Sequence, residues 1–315
     1  MEFRDKKYLQ AVNLLVLGGF ILAFQDSLVK LISDSTSFWQ FQTIRSSYNL
    51  ILLICISTVG FKISVLIPKN IPAVLFRSSF LIVCMFCFFC AAPSLTFAQM
   101  ATGLYTYPMF LVVLAVIFLG ERLNILRLLS LGFGVVGAVL ILKPWDSNFT
   151  YLQLFPILSG LFYACNLICV RKFCKEESPL ALTATVAICF MISGLLGGQI
   201  VDHFLSEKSL TDSLPFIAVG WPEISIFVIG MAALASICNL TGNLCLIKAY
   251  QTAESSWLAP LDYLYLIFAI VWGKLLFDQL PDIYALIGMA FITGSGILVA
   301  VQALLPLKLF RVGYK

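Results

Sequence analysis

Four ionisable side chains lie inside long apolar stretches of the sequence. Asp26 and Lys30 stand four residues apart in the first stretch, Arg45 lies in the second, and Asp262 lies in the ninth. A charge at the centre of a lipid bilayer costs at least about 2.5–3.5 kcal/mol, so such residues face the protein interior or water and mark functional sites. Their chemistry would be ion pairing, substrate binding or proton transfer.

The two acids differ in their sequence surroundings. Asp26 and Arg45 are predicted in the same half of the membrane, so Asp26 either pairs with Arg45 or forms part of a substrate or proton site. Asp262 has no obvious partner nearby in the sequence and is predicted to contact substrate or a proton. Lys30 follows Asp26 in the favourable order for a pair within one helix, but we expect its amino group to extend to the membrane surface.

The composition indicates which secondary-structure elements hold these residues. Hydrophobic residues make up 61% of the 315 residues and charged residues 11%, against about 45–50% and about 25% in soluble domains. A bilayer-crossing helix needs about 20 mostly apolar residues. Ten such stretches, called spans 1 to 10, lie at 9–32, 37–59, 72–92, 95–119, 125–143, 151–171, 179–201, 223–248, 252–277 and 283–305. The sequence therefore predicts an all-α membrane protein with ten transmembrane helices.

Basic residues indicate the orientation of these spans. Fifteen fall on the side of the N-terminus and three, Lys143, Lys208 and Lys274, on the other; Lys30 and Arg45 lie within spans, which accounts for all twenty. Because basic loops stay cytoplasmic, both termini are predicted in the cytoplasm, with the chain multi-pass in the inner membrane. The net charge of +4, without long basic runs, gives no indication of a nucleic-acid partner.

Spans 4 and 9 share a sequence pattern. "QMATGLYTYPMF" (99–110) and "QTAESSWLAPLD" (251–262) match at Gln, Ala and Pro, each pair 152 residues apart. Span 9 is the fifth span after span 4, and successive spans alternate in direction. The two segments therefore cross the membrane in opposite directions, as in an inverted repeat. The sequence thus predicts two inverted five-helix repeats, at 8–143 and 151–305. Pro108 and Pro260 fall near the span centres, where each either bends its helix around a site or only shapes packing.

Neutral polar and aromatic residues extend the predicted site. Tyr105 and Trp257 occupy equivalent repeat positions and could sandwich a ring or a cation. Each polar residue alone is also explained by packing or a hydrogen bond between helices. The predicted substrate-binding set is Asp26, Arg45, Gln99, Tyr105, Asn166, Asn239, Asn243, Trp257 and Asp262.

No catalytic residue, cofactor or metal site is predicted. Cys84, Cys87 and Cys90 have ligand-like spacing, but they lie in "FLIVCMFCFFCAA", where cysteine behaves as a small hydrophobe. The single histidine, His203, is predicted in a loop without metal ligands nearby, and neither H-E-x-x-H nor a phosphate-binding P-loop motif occurs. A membrane enzyme is therefore a remote alternative, as is a non-transporting subunit, which would lack a polar central cavity.

Three stretches carry a resemblance to a known family. "DSLVKLISDSTSFWQFQTIRS", "YPMFLVVLAVIFLGERLNILRLLSLGFGVVGAVLILKP" and "LAPLDYLYLIFAIVWGKLLFDQLPDIYALIGMAFITGSGILV" resemble ten-span proteins with two EamA domains, of the drug/metabolite transporter superfamily. The sequence departs from the family pattern at Asp278-Gln279, where Gly-Glu is usual, and at Asp262. The resemblance covers the whole chain and implies a secondary transporter, while the superfamily's substrates are diverse.

The resemblance implies transport of a small polar or amphipathic metabolite by alternating access. The same stretches look similar to S-adenosylmethionine uptake carriers, to riboflavin carriers and to amino-acid exporters. An aromatic pair with an unpaired acid favours an organic cation that bears a ring, such as S-adenosylmethionine. The expected partners are this substrate, the bilayer, and a coupling proton or counter-substrate, with the protein a monomer or homodimer.

Overall fold

The computed structural model describes residues 2–60, 63–120, 125–147, 149–204, 214, 216–252 and 258–304. Eight spans are single helices: Glu2–Leu31, Phe38–Gly60, Ile71–Cys90, Ile125–Leu142, Leu154–Phe173, Pro179–Phe204, Ile226–Thr252 and Ile283–Leu304. Span 4 is divided into Phe97–Leu104 and Tyr107–Leu119, and span 9 into a 3-10 segment, Ala259–Tyr263, and the helix Leu264–Phe277. Among the described residues there is no strand, so the prediction of an all-α protein is confirmed.

Most of these helices are long and apolar enough to cross a bilayer. Eight segments meet that description, and the apolar helix Ile283–Leu298 of span 10 is shorter in the described chain. Span 2 is absent from this set because its first half carries Gln40, Gln42, Thr43 and Arg45. Polar residues on a membrane helix need protein or water beside them. The chain is a multi-pass membrane protein.

Helix pairing joins the two halves of the chain at every span. Span 1 packs against span 8 and span 6 against span 3; span 1 also contacts span 9, as span 6 contacts span 4. Span 2 pairs with span 7, and span 5 with span 10. Each contact of a span in the first half thus recurs for the equivalent span in the second half, five places further along the chain: 1 with 8 corresponds to 6 with 3, and 1 with 9 to 6 with 4. Two inverted repeats related by a twofold axis produce this pattern.

Small residues four apart on spans 5 and 10, Gly134-x3-Ala138 and Ala290-x3-Gly294, predict that these two spans pack together. They do pack together, and they approach closely at two glycines. A Cβ added at Gly137 would lie 2.8 Å from the carbonyl oxygen of Gly288, and one added at Gly288 would lie 2.9 Å from that of Gly137. Only glycine allows two helix backbones to come this near. The contact is centred on Gly137 and Gly288 rather than on the small residues at 134, 138, 290 and 294.

Spans 4 and 9 also end alike. Gly120 follows span 4 with φ 67°, and Asp278 follows span 9 with φ 53°, both in the left-handed region. Glycine takes this conformation without strain, whereas other residues are strained by roughly 1–2 kcal/mol. The departure from Gly-Glu at Asp278 therefore changes the residue but leaves the helix end in the same conformation.

The described part of the long connection after span 7 packs against the start of span 2. Its residue Phe216 is fully buried against Phe38, with ring centroids 6.1 Å apart, and its carbonyl accepts the Phe38 amide at 2.7 Å. The side chains of Trp39 and Gln40 donate to the carbonyls of Ile217 and Pro222 at 2.8 and 2.5 Å. These contacts hold the start of span 2 under the connection, on the side predicted to face outward.

Candidate functional site

The two divided spans place their breaks at equivalent positions. In span 4 the helix stops at Leu104 and restarts at Tyr107, with Pro108 in its first turn. In span 9 Pro260 lies in the first turn of the 3-10 segment, and Asp262 lies in the same segment. Proline cannot donate a backbone hydrogen bond and ends or kinks a helix before it. Of the two interpretations of these prolines, the structure supports bent helices rather than packing alone.

A small cavity lies beside both breaks and is shared by the two halves of the chain. Its volume is about 40 Å³, and its wall includes Gly19 and Leu22 of span 1, Tyr105 of span 4, Leu246 of span 8, and Asp262 and Tyr265 of span 9. Water occupies about 30 Å³ in the liquid, and metabolite pockets measure roughly 300–1,000 Å³. The cavity therefore has room for a few water molecules at most, and a metabolite requires a more open conformation.

Asp262 is held by a tyrosine that the sequence did not associate with it. The Tyr250 hydroxyl, on span 8, donates to Asp262 Oδ2 at 2.5 Å. Hydrogen bonds to a carboxylate are shorter and stronger than those between neutral groups. Asp262 remains partly exposed within the cavity wall. The sequence shows no obvious partner near Asp262, and the structure places one on the preceding span, twelve residues away.

Asp26 lies at the centre of a polar network joining spans 1, 8 and 9. Its Oδ2 accepts a hydrogen bond from the Tyr265 hydroxyl at 2.5 Å, and its Oδ1 accepts one from Gln25 Nε2 at 3.1 Å. Gln25 Oε1 in turn accepts from Asn239 Nδ2 at 3.0 Å. The network connects Asp26 to a wall residue of the cavity, Tyr265. Asp26 and Asp262 are therefore held in the same way, each by one tyrosine hydroxyl.

Arg45, predicted as the alternative partner of Asp26, does not contact it directly. In the described chain no ion pair within 4 Å joins the two side chains. The guanidinium lies over the Phe41 ring, 5.9 Å from its centroid, and its Nε has no hydrogen-bond partner. Arg45 is thus a buried cation near an acid whose oxygens already accept other hydrogen bonds.

Five tyrosines form a cluster around the breaks, four of them missed by sequence reasoning. Tyr105 stacks on Tyr265 with centroids 5.1 Å apart and planes at 18°, and its centroid lies 5.6 Å from that of Tyr263. Tyr107 contacts Tyr105 at 5.9 Å and Tyr163 at 5.0 Å. The signal was present in "YTYP" and "LDYLY", which place two tyrosines beside each break. Tyr105 packs against other tyrosines; Trp257, at the equivalent repeat position, lies outside the described residues.

The other predicted polar residues lie apart from this cluster or serve their own helices. Gln99 accepts hydrogen bonds from the amide and the hydroxyl of Thr96 at the start of span 4, and it lines a separate cavity of about 10 Å³. Asn243 donates to the carbonyl of Asn239 at 2.7 Å. Asn166 is buried, and its Oδ1 has no hydrogen-bond partner. Of the predicted set, the structure brings together Asp26, Tyr105, Asn239 and Asp262, with Arg45 beside Asp26.

Lys30 does not reach the membrane surface as predicted. Its side chain is buried, 7% exposed, and Nζ donates to the carbonyl oxygens of Ala92 and Leu95, each at 2.5 Å. Ala92 and Leu95 lie in the turn between the helices Ile71–Cys90 and Phe97–Leu104, where buried backbone carbonyls need hydrogen-bond donors. Lys30 therefore ties the end of span 1 to the turn between spans 3 and 4.

This arrangement defines a helical membrane transporter with two related halves around a shared central cavity. The EamA-like transporter family model matches residues 9–143 and 151–301. The chain belongs to this family, within the drug/metabolite transporter superfamily. The matched segments follow the two halves of the pairing pattern described above.

Curated relatives are transporters with different cargo. The chain is 26% identical over 296 residues to an uncharacterized transporter of Helicobacter pylori, covering 93% of this chain and 95% of that protein. It is 26% identical to a riboflavin transporter of Brucella anthropi, covering 61% of this chain and 63% of that protein. It is 29% identical to an S-adenosylmethionine uptake transporter of Rickettsia bellii, covering 60% and 58% respectively.

A solved structure supports the fold at low sequence identity. The crystal structure of another protein aligns with this chain with a TM-score of 0.54 and 16% identity, covering 98% of this chain and 99% of that one. At this identity the match bears on the fold alone.

Proposed function

We propose that the protein is a secondary transporter that moves a small polar or amphipathic metabolite across the cytoplasmic membrane by alternating access. One observation carries the proposal: a partly exposed carboxylate, Asp262, lies at a helix break in a cavity lined by both halves of the chain. Broken helices at the interface of inverted repeats are where secondary transporters bind substrate. The repeats are proposed at 8–143 and 151–305, and both termini in the cytoplasm.

The narrow cavity fits a closed intermediate of such a cycle. Lys30 and Phe216 make buried contacts on one side, and the central space holds a few water molecules at most. Rocking the two halves against each other would widen the cavity toward one side at a time. The breaks in spans 4 and 9 would supply the hinges, because they interrupt the backbone hydrogen bonding that stiffens a helix.

The site chemistry favours an organic cation that bears a ring, such as S-adenosylmethionine. Asp262 and Asp26 would hold positive charge, and the stacked Tyr105 and Tyr265 offer faces to a ring or a cation. The named relative in Rickettsia bellii supports this choice, and the riboflavin relative supports an aromatic cargo without fixed positive charge. A riboflavin carrier or an amino-acid or metabolite exporter is the alternative function.

Melting of purified protein with candidate metabolites tests the proposal. A ligand that binds the folded protein raises its apparent melting temperature by mass action. We expect S-adenosylmethionine to raise it in the wild type but not in Asp262→Asn, and to be taken up by liposomes containing the wild type. The matched control is Asp34→Asn, at an exposed acid after span 1. Equal shifts in the two variants, or a shift with riboflavin alone, would contradict the organic-cation assignment.

Coupling and orientation have separate tests. If Asp26 or Asp262 carries the coupling proton, uptake by Asp26→Asn or Asp262→Asn loses the pH dependence of the wild type. Unchanged pH dependence in both variants would exclude these two acids as proton carriers and favour exchange with a counter-substrate. Reporter fusions at each terminus locate the termini, and we expect cytoplasmic signals from both.

A further inference from the structure

Span 2 carries a buried polar face that includes Arg45, the neighbour of Asp26 in the site described above. Gln42, Arg45 and Asn49, called the span 2 stripe, follow one another at three and four residues and so lie on one side of the helix. They are 1%, 6% and 8% exposed. The stripe occupies the half of span 2 that lies nearer the long connection.

The stripe lacks hydrogen-bond partners that its neighbours on the same helix possess. Both amide atoms of Gln42, Nε of Arg45 and Oδ1 of Asn49 are unpaired. By contrast, the Gln40 amide donates to Pro222 O at 2.5 Å and the Thr43 hydroxyl donates to Trp39 O at 2.9 Å. An unpaired buried polar group costs about 1–3 kcal/mol, and more when charged. Three such residues on one helix face therefore indicate that another group contacts them in a different state of the protein.

The donors and acceptors of the stripe fit one kind of group. The Arg45 guanidinium and the Gln42 amide donate, which suits a carboxylate, and guanidinium–carboxylate pairs are among the strongest hydrogen-bonded contacts. The free oxygens of Gln42 and Asn49 accept, which suits an ammonium or hydroxyl group. The charge of Asp26 interacts with that of Arg45, although the two side chains are too far apart for an ion pair. Asp26 can therefore hold a positively charged group of a substrate beside Arg45.

We propose that the span 2 stripe binds the carboxylate of the transported molecule, so that the substrate is a metabolite with an amino-acid group. Arg45 and Gln42 take the carboxylate, while Asp26 takes the ammonium group. The inference rests on the proposed function and narrows its substrate class. Since the stripe is enclosed here, it binds when the contacts of Lys30 and Phe216 open.

Pairs of compounds that differ only in the carboxylate test this assignment. Liposomes containing the protein are offered S-adenosylmethionine with its decarboxylated form, and tyrosine with tyramine, and the contents are measured by mass spectrometry. We expect the wild type to take up at least one carboxylate-bearing member about tenfold or more faster than its decarboxylated counterpart. Arg45→Gln should abolish this preference.

A second variant tests the stripe without replacing Arg45, so the test does not depend on whether Arg45→Gln folds. Gln42→Leu removes a buried amide without partners, so its melting temperature should equal or exceed that of the wild type while uptake falls severalfold. The control on the same helix is Ser47→Ala, whose hydroxyl bonds only Thr43 O at 2.8 Å in the described chain and whose uptake should stay unchanged. A stripe that serves packing alone would instead leave uptake by Gln42→Leu at the wild-type rate.

Two results would overturn the inference, and they can be told apart. Equal uptake of both members of each pair, or a preference retained in Arg45→Gln, removes the carboxylate site but leaves a transporter. Uptake of none of the four compounds, or of riboflavin, by protein that melts cooperatively overturns the amino-acid substrate class together with the organic-cation assignment.

Discussion

Replacing Gly137 with alanine tests the contact between spans 5 and 10, through which the two halves of the chain meet. The added Cβ would lie 2.7 Å from Ile292 Cγ1 and 2.8 Å from the carbonyl oxygen of Gly288. Carbon atoms pack best at about 3.5–4.0 Å, so the methyl group is roughly 0.8 Å too close. Ile292 can change its rotamer, but a backbone oxygen cannot move without its helix. The two helices must therefore separate.

The size of the effect follows from two opposing contributions. Overpacking of this kind costs about 1–3 kcal/mol, whereas alanine in place of glycine inside a helix gains up to about 1 kcal/mol. Gly132 on the same helix provides the control, because nothing lies within 4 Å of a Cβ added there. Both variants gain the helix contribution, so the difference between them isolates the clash.

The assay is thermal unfolding of the two variants in the same detergent, followed by intrinsic fluorescence. For a chain of this length 1 kcal/mol corresponds to about 1–2 °C, so a clash of about 1–3 kcal/mol should make Gly137→Ala melt about 1–6 °C below Gly132→Ala. Melting of the two variants within 1 °C of each other would refute the close contact between these helices.

Three further substitutions address the site and the helix ends. Tyr250→Phe removes the donor to Asp262 and should lower stability by about 1–2 kcal/mol in chemical unfolding, while also weakening any substrate-induced shift. Lys30→Met removes the donor to the carbonyls of Ala92 and Leu95 and should cost about 2 kcal/mol, against at most about 0.5 kcal/mol for Lys69→Met at an exposed lysine; equal losses would contradict the role of Lys30. Asp278→Gly should raise the melting temperature by about 1–2 °C, because glycine takes the left-handed conformation without strain; a fall would show that the Asp278 side chain matters more than its backbone.

The architecture could be predicted from the sequence because it depends on length and composition along the chain. Ten apolar stretches fit ten crossings of a bilayer of fixed thickness. The matching prolines in spans 4 and 9 indicated equivalent positions at which each helix either bends around a site or only shapes packing, because proline disrupts a regular helix. The structure was needed to decide between these and to show the form of each break, with Tyr105 and Asp262 partly exposed beside the cavity.

The partners of the charged residues were decided by tertiary structure alone. In a membrane protein apolar side chains face both lipid and core, so periodicity along a span does not show which side of a helix is interior. The rotation of each helix therefore remains open until all ten pack together. Contacts such as Tyr265 to Asp26, separated by 239 residues, and Lys30 to Leu95, separated by 65, exist only after that packing. For the same reason the sequence does not distinguish the span 2 stripe from other polar residues. Only the structure shows that its side chains are buried and that several of their polar atoms lack hydrogen-bond partners.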